Sequence, residues 1–137
     1  MGELGVDRPT KRRAGVAAGG LAVADSRPVL DGDAVLGTRC TVCRYACAQQ
    51  GIPWCPVCYE PVGAARFARA GAVWSSTVVA IAVGTRRPPF GVAYLDLDDG
   101  PRVLVHTDEP TVLAAGTRMA VVGTDDGDLI ASKEVGA

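Results

Sequence analysis

All five cysteines of the chain fall within nineteen residues, "CTVCRYACAQQGIPWCPVC" from Cys40 to Cys58, and four of them form two CxxC pairs. A CxxC turn is tight enough to aim two sulfurs at one point while nearby backbone N–H groups support the thiolates. Two such turns, Cys40 with Cys43 and Cys55 with Cys58, sit on either side of an eleven-residue connector. Brought together across a hairpin, they make a tetrahedral four-sulfur cage of the kind that holds zinc. A rubredoxin uses the same geometry for iron. Here Arg44 stands where an iron site often keeps a glycine, and no second redox centre is visible in the sequence, so Zn2+ is the preferred ion. Four protein ligands leave no open coordination position, so such a metal does not generate a hydroxide; it folds a ribbon too small to fold alone. Cys47 reads as a small buried hydrophobe rather than a ligand.

Few other residues suggest chemistry. Arg86 and Arg87 lie in the proline-rich loop "GTRRPPF", and paired guanidiniums can grip a phosphate or carboxylate; the plainer reading is two solvated loop charges. His106 is the only histidine, and no nucleophile stands beside it in sequence to make a catalytic dyad. Trp54 and Trp74 read as core or interface residues, an exposed Trp being a common anchor of protein–protein contacts. Asp96, Asp98 and Asp99 cluster at a hairpin end, where turn chemistry accounts for them. No catalytic residue is assigned.

The elements that must position these residues are strands. "PVLDGDAVLGTRC" predicts a hairpin turning at Asp31-Gly32 and leading into the first cysteine pair. "YEPVGAARFARAGAV" reads as a bridge with room for one helical turn. Five strands follow: 72–83, 91–97, 101–107, 117–124 and 128–135, with "DDG" turn signals at 98–100 and 125–127. Five short antiparallel strands, the first of them long, predict a small closed Greek-key barrel of the OB type. The expected organisation is a flexible Gly/Ala-rich arm over 1–27, a ribbon over 28–62 and a barrel over 63–137. The fold class is mainly β: an N-terminal rubredoxin-like zinc ribbon, then a five-stranded OB-fold barrel. Loss of a ligand, as in Cys55→Ser, is expected to unfold the ribbon and leave the barrel partly intact.

Composition narrows the function classes. At 137 residues the chain has little room for a large self-built active site. Its 48% hydrophobic and 5% aromatic content describes a core of Val, Ala, Leu and Ile. The net charge of −1 gives no field for phosphate backbones, so no nucleic-acid partner is expected. Single-strand binding on the barrel is the alternative reading. "KRRAGVAAGGLAVADS" imitates a signal peptide, but its apolar run is Ala/Gly-rich with one leucine, Leu21. Thiolate ligands also fit a reducing compartment. A cytoplasmic protein with no membrane span is expected.

With "LGTRCTVC", "CPVC", the bridge into "AGAVWSSTVVA", the loop and hairpin "RRPPFGVAYLDLDDGPRVLVH" and the closing "AGTRMAVV" in that order, the chain resembles the acyl-CoA-associated family that joins a rubredoxin-like zinc ribbon to an OB fold, formerly the domain-of-unknown-function-35 family. The resemblance spans roughly residues 29–135. It implies a non-catalytic accessory subunit that associates with a thiolase-fold enzyme: a thiolase, an acyltransferase, a ketosynthase-like enzyme or a retro-aldolase. It also makes the CoA phosphates of an acyl-CoA substrate the candidate ligand of Arg86 and Arg87.

Overall fold

The computed structural model describes residues 25–134, which are built of nine strands without a helix. The arm expected over 1–27 lies outside the described residues except for Asp25–Arg27. Strands β1 (Val29–Asp31) and β2 (Ala34–Cys40) form the first hairpin. Its turn falls one residue later than the sequence suggests, on Gly32-Asp33. Gly32 takes φ +63, which lets the two strands close at the Asp31↔Ala34 pair. Strand β3 (Ala46–Cys47) pairs with the end of β2 at Thr38 and Arg39, along the edge that β1 occupies earlier. Gly37 admits this approach, because a Cβ there would overlap the Cys47 carbonyl oxygen.

The other edge of β2 carries the main difference from expectation. Residues 62–68, read as part of a bridge, form strand β4 (Val62–Ala68), antiparallel to β2 from Ala34↔Ala68 to Cys40↔Val62. "VGAARFA" has few β-branched residues, so local preference does not announce a strand. Cross-strand pairing with β2 supplies what propensity lacks. The second cysteine pair ends four residues before Val62, so gathering the cysteines delivers the chain to β2 in this register.

After Arg69 the chain passes directly into the barrel: β5 (Ala70–Val79), β6 (Phe90–Leu97), β7 (Arg102–Thr107), β8 (Arg118–Asp125) and β9 (Asp128–Lys133). Around the closed barrel the order is β5-β6-β7-β9-β8 and back to β5, with β7 and β9 parallel and all other neighbours antiparallel. That is the OB topology expected from the strand pattern. Strand β5 stops at Val79 rather than Val83, and residues 80–89 form a loop projecting from its end. The "DDG" signal at 125–127 makes a two-residue turn in which Asp126 and Gly127 both have positive φ, matching the twist of the β8–β9 hairpin.

Alternation along the strands builds the core. Leu95 and Leu97, Val103 and Val105, Met119 and Val121, and Leu129 and Ala131 point inward from β6 to β9. Val35 and Phe67, from β2 and β4 of the ribbon sheet, belong to the same buried cluster. Ribbon and barrel therefore share one core.

Candidate metal centre and barrel face

Cys40 ends β2, Cys43 follows one turn later, and Cys55 and Cys58 belong to the second knuckle. Their sulfurs all lie within 4.8 Å of one another. Cys40 and Cys58 Sγ are 3.4 Å apart, and Cys43 and Cys55 Sγ are 3.7 Å apart. Zinc–sulfur bonds of roughly 2.3 Å directed at tetrahedral corners separate neighbouring sulfurs by about 3.8 Å, so the four residues fit a single metal ion. All five cysteines are free of disulfides, and Cys47 is outside the cluster, with its Sγ 3.9 Å from Gln49 Oε1.

The two knuckles repeat each other. The amide of Cys40 donates to the Tyr45 carbonyl and that of Cys55 to the Glu60 carbonyl, each at 2.9 Å. Val42 and Cys43 N–H donate to Cys40 Sγ at 3.3 Å, and Val57 N–H donates to Cys55 Sγ at the same distance. The residue after each second cysteine, Arg44 or Tyr59, has a left-handed backbone with φ 69 or 65. Such knuckles offer thiolates a shell of amide dipoles, which is what a cation-holding sulfur cage requires. Burial opposes the Cys40 thiolate, but the Val42 and Cys43 amides and the Cys58 thiol together hold its pKa down to about 6. For Cys58 the Glu60 amide favours the thiolate, and burial with the three other sulfurs outweighs it, pushing the pKa up to about 12. Four thiols crowded together cannot all ionise without a cation among them.

The two arginines singled out in the sequence have different surroundings. Arg86 reaches across from the 80–89 loop to the β8–β9 turn, with Nη2 3.0 Å from Asp128 Oδ2 and Nη1 3.7 Å from Asp125 Oδ2. Arg87 is exposed and forms no ion pair among the described residues. Both border an open hollow of about 750 Å³ between that loop and that turn, floored by Phe90, Val92, Leu104 and His106 on the outer face of β6 and β7. His106 is largely covered, with Nε2 3.5 Å from Asp128 Oδ2 and its Nδ1 buried without a partner. Burial, together with the nearby Arg86 charge, holds its pKa below the ordinary 6.5.

Beyond the hollow the same face carries residues that the sequence left between core and interface. A register shift between Val73 and Ser75 leaves Trp74 unpaired on β5 and turns it outward, 53% exposed. The shift coincides with bonds from the Val73 backbone to Gly116 and Thr117. Trp74 packs edge-on against Tyr94 with ring centroids 6.0 Å apart, and the Arg102 guanidinium lies 3.8 Å from the Trp74 ring centre. Arg102 is in turn held by both oxygens of Asp96 at 2.7 and 3.2 Å. Asp98 is likewise engaged, with Arg118, while Asp99 has the positive φ of a turn residue. Trp54 is exposed on the ribbon.

No protein-family model matches the chain, and no curated protein matches it. Five chains of solved structures do. One, described as the Ltp2-ChsH2(DUF35) aldolase, is covered over its whole length by 80% of this chain, with a TM-score of 0.57 and 19% sequence identity. The likeness at that identity is one of fold.

Proposed function

We propose that the chain is a non-catalytic accessory subunit, with a structural zinc ion at Cys40, Cys43, Cys55 and Cys58, that binds a thiolase-like enzyme acting on acyl-CoA or carrier-bound acyl groups. The observation that carries this reading is the shared fold with a DUF35 chain described as part of an aldolase. The site chemistry agrees with it. Four thiolates saturate a tetrahedral zinc, so the ion stabilises the ribbon and offers no position to a substrate. Among the described residues, the side chains in contact with His106, those of Asp128 and Phe90, and the nearby Arg86 supply no hydroxyl or thiol nucleophile. In the complex, Arg87 offers its guanidinium to the CoA phosphates, while Arg86 braces the loop that presents it.

Single-strand nucleic-acid binding, the alternative use of this barrel face, fits less well. Trp74 and Tyr94 would stack bases, but Arg102 is neutralised by Asp96 and three aspartates line the turn bordering the face, which opposes a phosphate backbone.

The test is affinity purification of the tagged protein from its native host at low salt, with mass spectrometry of what remains bound. A thiolase-fold or ketosynthase-like protein in near-stoichiometric amount is the expected result. Recovery of nucleic acid alone, or of nothing, overturns the accessory-subunit reading.

A further inference from the structure

The outer face of β5, β6 and β7 carries a continuous row of aromatic and aliphatic side chains flanked by polar ones. Cross-strand pairing places Tyr94 opposite Leu104 and beside Ser75, with Trp74 at the bulge, and the next outward row brings Val92 opposite His106 and Thr77. Trp74, Tyr94 and Leu104 are 53%, 46% and 47% exposed. They lead without a break into the hollow floored by Val92 and Phe90, because Leu104 belongs to both. Tryptophan, tyrosine and arginine are the residues that most often anchor protein–protein interfaces. Here the three are held against one another before any partner arrives: Trp74 and Tyr94 by ring contact, Arg102 by Trp74 and Asp96. Ordering these side chains in advance lowers the entropy that binding must otherwise remove.

Charge at the end of the face narrows the occupant. Asp128 is satisfied by Arg86 and Arg27. Asp125 is 70% exposed with Arg86 only at 3.7 Å, and Asp126 is exposed with no ion pair among the described residues. Two under-compensated carboxylates therefore stand where the apolar floor ends, facing a loop whose one free cation among the described residues is Arg87. We infer that this face is a docking groove for an extended, apolar protein segment carrying a lysine or arginine, with aromatic or aliphatic side chains over Trp74, Tyr94 and Leu104 and the basic side chain over Asp125 and Asp126. That the enzyme partner supplies the segment rests on the accessory-subunit reading; the chemistry of the groove does not.

The test is a selection of random linear peptides, displayed on phage, against the full chain loaded with zinc. The expected result is a consensus of alternating apolar residues with a basic residue. Synthetic consensus peptide should lose at least about tenfold in affinity for Tyr94→Ser and for Trp74→Ser, the effect of losing an interface anchor. Asp125→Asn with Asp126→Asn should weaken binding and flatten its salt dependence. Both aromatic sites are exposed, so the barrel is expected to fold in either variant, and the zinc content of each checks this. No consensus, a consensus without a basic residue, or equal binding by Tyr94→Ser overturns the groove. So does oligo(dT) binding that Tyr94→Ser abolishes, or a dimer of wild type that Tyr94→Ser dissociates, since either gives the face to another occupant. A basic-apolar consensus combined with no co-purifying enzyme keeps the groove and removes the accessory reading. A co-purifying enzyme whose binding ignores Tyr94→Ser and Trp74→Ser keeps the accessory reading and overturns the enzyme as the source of the segment.

Discussion

Arg44 and Tyr59 take the same left-handed backbone because each must turn the chain sharply after its second cysteine. Only glycine adopts that conformation without a steric penalty. Arg44→Gly should therefore raise ribbon stability by about 1 kcal/mol, read as a shift in the zinc-loaded unfolding midpoint, with metal content unchanged. His106 gives a pH-dependent expectation. Burial and the Arg86 charge lower its folded-state pKa, so between that value and about 6.5 the unfolded chain binds more protons. Stability attributable to His106 is thus fully present above about pH 6.5 and declines as pH falls below it. His106→Asn should flatten that decline in urea titrations run across the window. The gathering of Cys40, Cys43, Cys55 and Cys58 was the most legible feature of the chain, because two CxxC pairs at that spacing can aim four sulfurs at one point. The satisfied state of Arg86 was not legible, since its partners Asp125 and Asp128 lie about forty residues away along the chain.

Among elements, β6 to β9 were readable because short runs rich in Val and Leu are bounded by the Asp- and Gly-bearing turns at 98–100 and 125–127. Strand β4 was not, for "VGAARFA" becomes a strand only through its register with β2. The bulge at Trp74 was hidden for a similar reason, as it coincides with backbone bonds from Val73 to Gly116 and Thr117, more than forty residues away. Phe67 is the buried residue through which β4 reaches the barrel core, 4% exposed. Phe67→Ala should cost about 3–5 kcal/mol by denaturant unfolding, as for other large core truncations; a change under about 1 kcal/mol would place its ring outside the shared core. The 80–89 loop is clasped to the β8–β9 turn by Arg86. Arg86→Ala should speed amide exchange in that loop. It should also raise the His106 pKa by removing the nearby positive charge, which an NMR titration of the imidazole would record.

At the scale of the molecule, the sequence suggested two modules in series, and the structure joins them. Val35 and Phe67 lie in the barrel cluster. Arg39 donates to the Arg44 carbonyl in the first knuckle and to the Asp99 carbonyl in the β6–β7 turn. Arg27 binds the Asp126 carbonyl and Asp128 at the far turn. Structural zinc contributes on the order of 10 kcal/mol to small metal-bound folds, as much as a whole domain's net stability. Cys55→Ser should then destabilise ribbon and barrel together, contrary to the partial survival that separate modules imply. Calorimetry of the zinc-loaded wild type should show one transition, and the variant should lose most of its strand signal; a barrel transition unchanged in the variant would refute the coupling. The ring of Phe67 also rests within 3.3 Å of where a side chain at Gly100 would begin. Recombination between diverged copies of such a gene would thus be constrained: a crossover between the codons for Phe67 and Gly100 would pair a ring from one parent with a hairpin shaped by another. Ribbon and barrel are expected to be inherited as a single block.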